Sequence, residues 1–473
     1  MMYCTRVDKL DVSPTSMSGK ASASVQAAFE LFDDDSSDEE TTTPLVTPHE
    51  VVHIVPTAST PSPAAKEEQK STTEVTRSLY EPWDDVKPLA VGPIDLVTSF
   101  NSVGGYRGYV ATRDLKPGTQ VLVEQVYVPW PSDVETSDPE FFLATMESVL
   151  SRPDYAEIME HLSHLYPEKL SELPEGLLSA GREKYGPQVD ELSKNFSELA
   201  LSHDQVLQNV FAMQCNAFDS GVFLYNAMFN HDCNPNCVKF TPEGAGPEGG
   251  VSEVRVARPI AKGEQLTISY LYPREQSREN RQKNLWEQFG FKCCCELCKR
   301  GDSVLHPPPS ATEDNDGTKP GMPDLEKVLV GAEEIIKTNP ESAADALSVA
   351  LETLSDALEI VAHDHLVFMR IHKLVADSCD LLLRGKTERV CEYSILFLRS
   401  SYELLELQRT YLNPDHIDLA RTLNDVSQGI QLLLSYDPEV LLTEFPEWKN
   451  FRQASVVENQ YRQEYRRLKR MYE

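Results

Sequence analysis

Apolar and polar positions along this chain change their period several times. Residues 1–78 have no period at all: Ser, Thr, Pro and Ala dominate, around the acidic run Asp33-Asp34-Asp35-Ser36-Ser37-Asp38-Glu39-Glu40. Such a segment buries too little apolar surface to order its backbone, so a disordered acidic tail is predicted. Within it, Ala28-Phe29-Glu30-Leu31-Phe32 reads either as an incidental patch or as a short partner-binding helix. Strand runs come next. Tyr109-Val110-Ala111-Thr112 and Gln120-Val121-Leu122-Val123-Glu124-Gln125-Val126 flank the turn signal Lys116-Pro117-Gly118. Between 138 and 208 the apolar spacing becomes helical, with Leu, Ala, Glu and Met frequent. From 209 the pattern returns to strand. Val254-Arg255-Val256-Ala257 and Gln265-Leu266-Thr267-Ile268-Ser269-Tyr270 lie on either side of the turn Ala261-Lys262-Gly263. Residues 274–288 are polar and predict one amphipathic helix. Pro307-Pro308-Pro309 and Asn315-Asp316-Gly317 mark 301–324 as a linker.

The stretch 325–473 reads as helix throughout. Asn339-Pro340 is a helix-start signal, and Leu347, Leu351, Leu354 and Leu358 behind it share one face, predicted to be core. Asn413-Pro414 repeats the signal before Ile417, Ala420 and Leu423. Several such helices predict an antiparallel array. The basic end, Arg466-Arg467-Leu468-Lys469-Arg470, reads as a localisation signal or as favourable charge at a helix C-terminus.

At 473 residues the chain is long enough for two or three domains. Its net charge of -31, from 75 acidic and 44 basic residues, repels phosphate backbones and suits a basic partner such as a lysine-rich peptide. Direct nucleic-acid binding is therefore not expected. No apolar h-region follows Met1 and no long apolar run occurs, which argues against secretion and a membrane span. Four of the ten cysteines, Cys293, Cys294, Cys295 and Cys298, lie within six positions. That clustering reads as an intracellular metal site rather than a disulfide framework.

The polar stretch Asn230-His231-Asp232-Cys233-Asn234-Pro235-Asn236-Cys237 directly follows the apolar run Val222-Phe223-Leu224-Tyr225-Asn226-Ala227-Met228-Phe229. Amides and an imidazole beside a buried run need partners, and Pro235 makes the chain turn. Taken alone, this stretch reads equally as a polar turn or as part of a site. Three further segments decide the matter: Gly104-Gly105-Tyr106-Arg107-Gly108, Gly263-Glu264-Gln265-Leu266-Thr267-Ile268-Ser269-Tyr270, and Phe289-Gly290-Phe291-Lys292-Cys293-Cys294-Cys295-Glu296-Leu297-Cys298. In this order, across residues 95–300, the four segments resemble the SET-domain protein lysine methyltransferases, and within them the SMYD (SET and MYND) branch. The C-terminal helices are similar, more loosely, to that branch's TPR-like domain.

The resemblance implies an α+β protein. A SET domain spans 79–273 with a helical insertion at about 131–208, a post-SET zinc segment spans 274–300, and an all-α TPR-like domain spans 325–473. It implies an S-adenosylmethionine-dependent enzyme acting on a lysine of a histone or another basic protein, in the nucleus or cytoplasm, with partners reached through the C-terminal helices and acidic tail. Tyr270 matches the catalytic tyrosine. Asn230 and His231 match positions that hold the cofactor, with Gly105 and Arg107 as further contacts and Phe291 stacked on the adenine. Phe218 and Phe289 match the walls of the lysine channel, Phe289 standing where relatives often have Tyr. Cys233, Cys293, Cys295 and Cys298 match a closed Zn2+ site, in which four thiolates leave no open position. The chain departs from the family at Tyr106, where a glycine is usual, and at Asp232, where a serine is usual. The Cys-rich MYND finger is absent. These departures leave a second reading, a SET-derived interaction scaffold without catalysis.

Overall fold

The computed structural model describes residues 80–98, 107–131, 141–240, 250–271, 275–303, 321–385 and 387–473. The acidic tail, Gly105, Tyr106 and most of the 301–324 linker lie outside the described residues.

The first half is built from short strands. These are β1 (Ala90–Val91), β2 (Ile94–Val97), β3 (Gly108–Ala111), β4 (Gln120–Gln125), β5 (Val128–Pro129), β6 (Ala217–Phe218), β7 (Gly221–Val222), β8 (Asn230–His231), β9 (Cys237–Phe240), β10 (Val251–Val256) and β11 (Thr267–Ile268). They form four small sheets: β1-β4-β10-β9, β2-β3, β5-β7-β6 and β11-β8. All pairings are antiparallel except β8 with β11, where Asn230 lies opposite Thr267 and His231 opposite Ile268. That parallel crossing joins two segments that are distant in the chain and sets up the site.

A helical insertion packs on the strands: α1 (Phe141–Leu150), α2 (Tyr155–Ser163), α3 (Glu175–Asn195) and α4 (His203–Cys215). The return to strand therefore comes later than the sequence pattern suggests. Ser202 caps α4 in a capping box with Gln205. Val206, Val210 and Met213 then bury one helical face, so the helix runs to Cys215. Trp83, Tyr109, Phe211, Tyr225 and Phe229 are fully buried here, and with the apolar residues of β4 and β10 they make the first core.

Glu124 stands out in that core. The buried carboxylate of β4 accepts hydrogen bonds from the backbone N–H of Tyr225 (2.9 Å), the backbone N–H of Asn226 (2.7 Å) and the Asn226 side-chain amide (2.8 Å). It thereby fixes the turn that leads into β8. Burial outweighs these bonds and pushes its pKa from 4.5 up to about 7. The folded state thus holds the proton more tightly than the unfolded chain. Stability is fullest at the acidic end and falls as pH rises from 4.5 to about 7, then levels off. Glu124→Gln is expected to flatten this slope in denaturant melts taken across that window. Glu124→Ala, which leaves three buried donors unpaired, is expected to cost about 2–4 kcal/mol.

The second half is helical: α5 (Arg278–Phe289), α6 (Glu296–Arg300), α7 (Met322–Thr338), α8 (Ala343–Ile360), α9 (Val367–Arg384), α10 (Val390–Tyr411), α11 (Asp418–Tyr436), α12 (Pro438–Glu444) and α13 (Phe451–Tyr472). The small sheets followed by this helical region make an α+β architecture. In α8 the expected leucine face is corrected. Only Leu347 of the four is buried, while Leu351 and Leu358 are exposed. The packed face is Ala343, Ala346, Leu347, Ala350, Thr353 and Ala357, whose small side chains let the helix lie close to α7 and α9. Both Asn-Pro signals also sit further from their helices than expected. Pro340 opens a 3-10 turn ahead of α8, and Asn413 accepts from the Asp415 N–H, five residues before α11 begins.

One core runs across the segment 275–303 and the helices that follow it. Cys233, Leu285, Phe289, Leu297 and Cys298 belong to the same buried cluster as Leu329, Leu347, Phe368 and Val375. Buried polar groups tie the same junction. Arg281, fully buried, pairs with Asp302 at 2.8 Å. The Asp302 carbonyl accepts from the Tyr411 hydroxyl (2.6 Å) and from the Leu366 N–H (2.9 Å). Glu326 of α7 accepts from the Ser277 N–H and hydroxyl, both at 2.6 Å, and from the Asn280 side chain. At the far end, Gly118 has φ +81°, and a Cβ there would fall 2.1 Å from the Met471 carbonyl oxygen of α13. The Tyr472 hydroxyl donates to the carbonyls of Val256 and Asp415. The helical region therefore touches the strand region at two separate places.

Candidate active site

The β8–β11 crossing brings Asn230, His231 and Tyr270 together. The His231 Nδ1 accepts the Tyr270 backbone N–H at 3.0 Å, which leaves Nε2 to carry the proton and face the Cys233 sulfur at 3.2 Å. Burial pushes the His231 pKa from 6.5 down to about 4, so the ring is neutral, as this arrangement requires. The Asn230 amide donates to the Arg107 carbonyl at 2.9 Å, linking β8 to the segment after the glycine run.

Tyr270 donates its phenolic proton to the Phe229 carbonyl at 2.6 Å. Its oxygen then presents only acceptor lone pairs to anything approaching from the cleft. Burial holds the hydroxyl well above its ordinary pKa, so it stays neutral. Around it lie Phe289 (ring centroids 4.9 Å apart), His231 (5.3 Å) and Phe291 (6.3 Å). Phe291 also lies 6.0 Å from His231. These side chains form an aromatic wall.

A cleft of about 550 Å³ opens onto Tyr270. Its lining includes Phe218 and Lys239 from the strands, Phe289 from the end of α5, and Met369, Leu374, Leu404, Asp377 and Arg421 from the later helices. Phe218, Tyr270 and Phe289 thus share one cleft between the two halves.

Four free thiols gather beside this wall. The donor atoms of Cys233, Cys293, Cys295 and Cys298 all lie within 4.8 Å of one another. The Cys233 sulfur is 3.8 Å from that of Cys293 and 3.5 Å from that of Cys298. Thiolates about 2.3 Å from a tetrahedral zinc sit about 3.8 Å apart, so the spacing fits that ion. Hydrogen bonding among the sulfurs, Cys233 first, lowers the Cys295 thiol to about 5 and Cys298 further still, while the same network raises Cys233 and Cys293, so two of the four are poised as thiolates. Gln282 donates to the Cys298 sulfur at 3.2 Å and the Arg281 guanidinium reaches it at 3.8 Å. Such outer donors orient and stabilise anionic ligands. Cys294 is exposed, and Cys237 is buried in β9 outside the group.

Arg107 makes more contacts than the motif suggests. Its guanidinium donates to the Tyr80 hydroxyl (2.7 Å) and the His164 carbonyl (2.6 Å), and pairs with Glu168 (2.8 Å). Asp232 accepts the Asn234 N–H at 2.7 Å, closing the turn before Pro235, and burial raises its carboxyl to about 6. Gly105 lies outside the described residues. Sequence reasoning missed Arg281, Gln282, Asp302 and Glu326; it expected the C-terminal helices to form one side of the cleft but named none of the residues there. A signal existed for Arg281: it precedes Leu285 and Phe289 by one and two turns and shares their buried stripe.

Residues 106–271 match the SET domain family model, and this region of the chain is a SET domain. Within it the chain is similar to the SMYD proteins. It is 30% identical over 118 residues to histone-lysine N-methyltransferase ASHR2 of Arabidopsis thaliana, covering 23% of this chain and 29% of that protein. It is 29% identical over 165 residues to histone-lysine N-methyltransferase Smyd1 of Mus musculus, covering 31% of each. It is 38% identical over 85 residues to protein-lysine N-trimethyltransferase SMYD5 of the same organism, covering 18% of this chain and 20% of that protein. The matched stretches thus span less than a third of these relatives' length.

Proposed function

We propose that this chain is an S-adenosylmethionine-dependent protein lysine N-methyltransferase, with a zinc ion held by Cys233, Cys293, Cys295 and Cys298. The supporting observation is the parallel β8–β11 crossing. It holds Tyr270 between His231 and the Phe229 carbonyl, at the head of a cleft lined by Phe218 and Phe289. The relatives' names point to the same chemistry.

The cofactor, when bound, supplies a methyl group on a sulfonium ion. The chain does the rest. Asn230, His231 and Phe291 line its place, with Arg107 and Gly105 nearby in sequence. Phe218 and Phe289 form an apolar channel that orients the lysine and strips it of water, lowering an amine pKa that starts near 10.4. An uncharged amine is the nucleophile, so no strong protein base is needed. The Tyr270 hydroxyl, its O–H donated to the Phe229 carbonyl, keeps its lone pairs free to accept a hydrogen bond from the amine and would oppose positive charge developing at the transferred methyl. Phe289 has no hydroxyl to hold a water or a partly methylated amine, which favours transfer beyond one methyl group. Cys233 on the β8 loop and Cys293, Cys295 and Cys298 on the following segment would hold the zinc, which would tie the two together beside the pocket. Lysine-bearing proteins, histones among them, are the substrate class, and the acidic chain suits them.

A second reading, a scaffold without catalysis, draws on one contact: the Arg107 guanidinium is already paired with Glu168. The two readings separate by radiolabelled methyl transfer from S-adenosylmethionine to a protein extract and to core histones. The enzyme reading expects labelled lysine, absent with Tyr270→Phe; unlabelled protein throughout favours the scaffold.

A further inference from the structure

A second group of donor atoms lies in the insertion, on elements that take no part in the thiolate cluster or the cleft. Glu157 and His161 sit one turn apart on α2 and so share a face. Asp85 approaches them from the segment just after the buried Trp83. One donor atom from each of the three residues falls within 4.8 Å of the others.

We propose that Asp85, Glu157 and His161 form a second divalent-cation site, suited to a borderline ion such as zinc. His161 carries the argument. Its side chain is only 6% exposed, while the Asp85 side chain is 55% exposed. The Nδ1 of this imidazole is engaged by the Tyr127 hydroxyl at 2.6 Å, which fixes the ring and directs Nε2 at Asp85. An orienting partner on the second ring nitrogen is the usual companion of a ligating histidine. The Nε2 to Asp85 oxygen distance is 3.3 Å. Ligands about 2.0 Å from a tetrahedral zinc stand about 3.3 Å apart, so two of the three are already spaced for the ion. Glu157 is exposed and completes the set by side-chain rotation. One imidazole and two carboxylates select a borderline ion over magnesium or calcium, and three protein ligands leave a fourth position for water.

The site would bind where the insertion meets the N-terminal turn. The Trp83 indole donates to the His161 carbonyl at 3.1 Å, and the Tyr225 hydroxyl donates to the Trp83 carbonyl at 3.0 Å. Three residues past His161, the His164 carbonyl accepts from Arg107. A cation on α2 therefore stiffens the segment that holds both the core tryptophan and Arg107.

The test is zinc content of the untagged full chain after equilibration with micromolar free zinc. Two equivalents per chain are expected, against one for the Asp85→Asn, Glu157→Gln double variant. Both carboxylates are on the surface, and a melt without added zinc checks that the double variant folds. Cobalt substitution separates the sites: the first equivalent shows intense thiolate-to-metal bands, whereas the second shows weak bands and no thiolate signature. Tyr127→Phe is expected to weaken the second site by about tenfold. A single equivalent in the wild type, or a second that survives in the double variant, overturns the proposal.

Discussion

Tyr270→Phe is expected to reduce methyl transfer by about 100-fold or more, the scale of losing one group aimed at the reacting centre. Among the described residues its hydroxyl hydrogen-bonds to the Phe229 carbonyl, so folding loses one hydrogen bond, worth about 1 kcal/mol. The ring contacts with Phe289 and His231 survive in phenylalanine. Cofactor affinity should therefore stay within a few-fold of wild type while turnover collapses. Single-turnover rates at saturating cofactor give the first quantity, and calorimetry gives the second. Full activity in the variant would remove Tyr270 from its assigned role.

Cys295→Ser should act through the metal and carry the pocket with it. Structural zinc sites contribute binding energy on the order of 10 kcal/mol to the fold, and a hydroxyl replaces a thiolate poorly. Here the four sulfurs join the β8 loop, through Cys233, to the segment after Phe291. Loss of the ion frees that segment and moves Phe291 from His231. Zinc at the thiolate site and cofactor affinity are expected to fall together, with a lower melting temperature. Thiolate zinc retained in the variant, read from cobalt spectra, would show that the ligands are misassigned.

Much of this arrangement was legible in the sequence because it is local. The strand runs at 109–112 and 120–126, the turn at Pro235 and the cysteine spacing each depend on neighbours a few residues away. The likeness to SET proteins ordered these pieces, and the family match supports that fold class. What was not legible depends on distant partners. Alanines rather than leucines face the core in α8, because the distance to α7 and α9 decides which side chains fit. Arg281 looked like one more polar residue until Asp302 was placed beside it. Arg107 belongs to a glycine-rich motif, yet its guanidinium spends itself on Glu168 and His164 of the insertion, which no local pattern encodes. The C-terminal helices were expected along one side of the cleft, but which of their residues line it was not legible, for the same reason.

Calorimetric titration of the zinc-loaded chain with S-adenosylmethionine, alongside His231→Ala, tests the central claim without a known substrate. The account predicts micromolar or tighter binding by the wild type and its loss in the variant, because the neutral His231 ring holds the Tyr270 backbone in place. A folded, zinc-loaded wild type that binds no S-adenosylmethionine would contradict it.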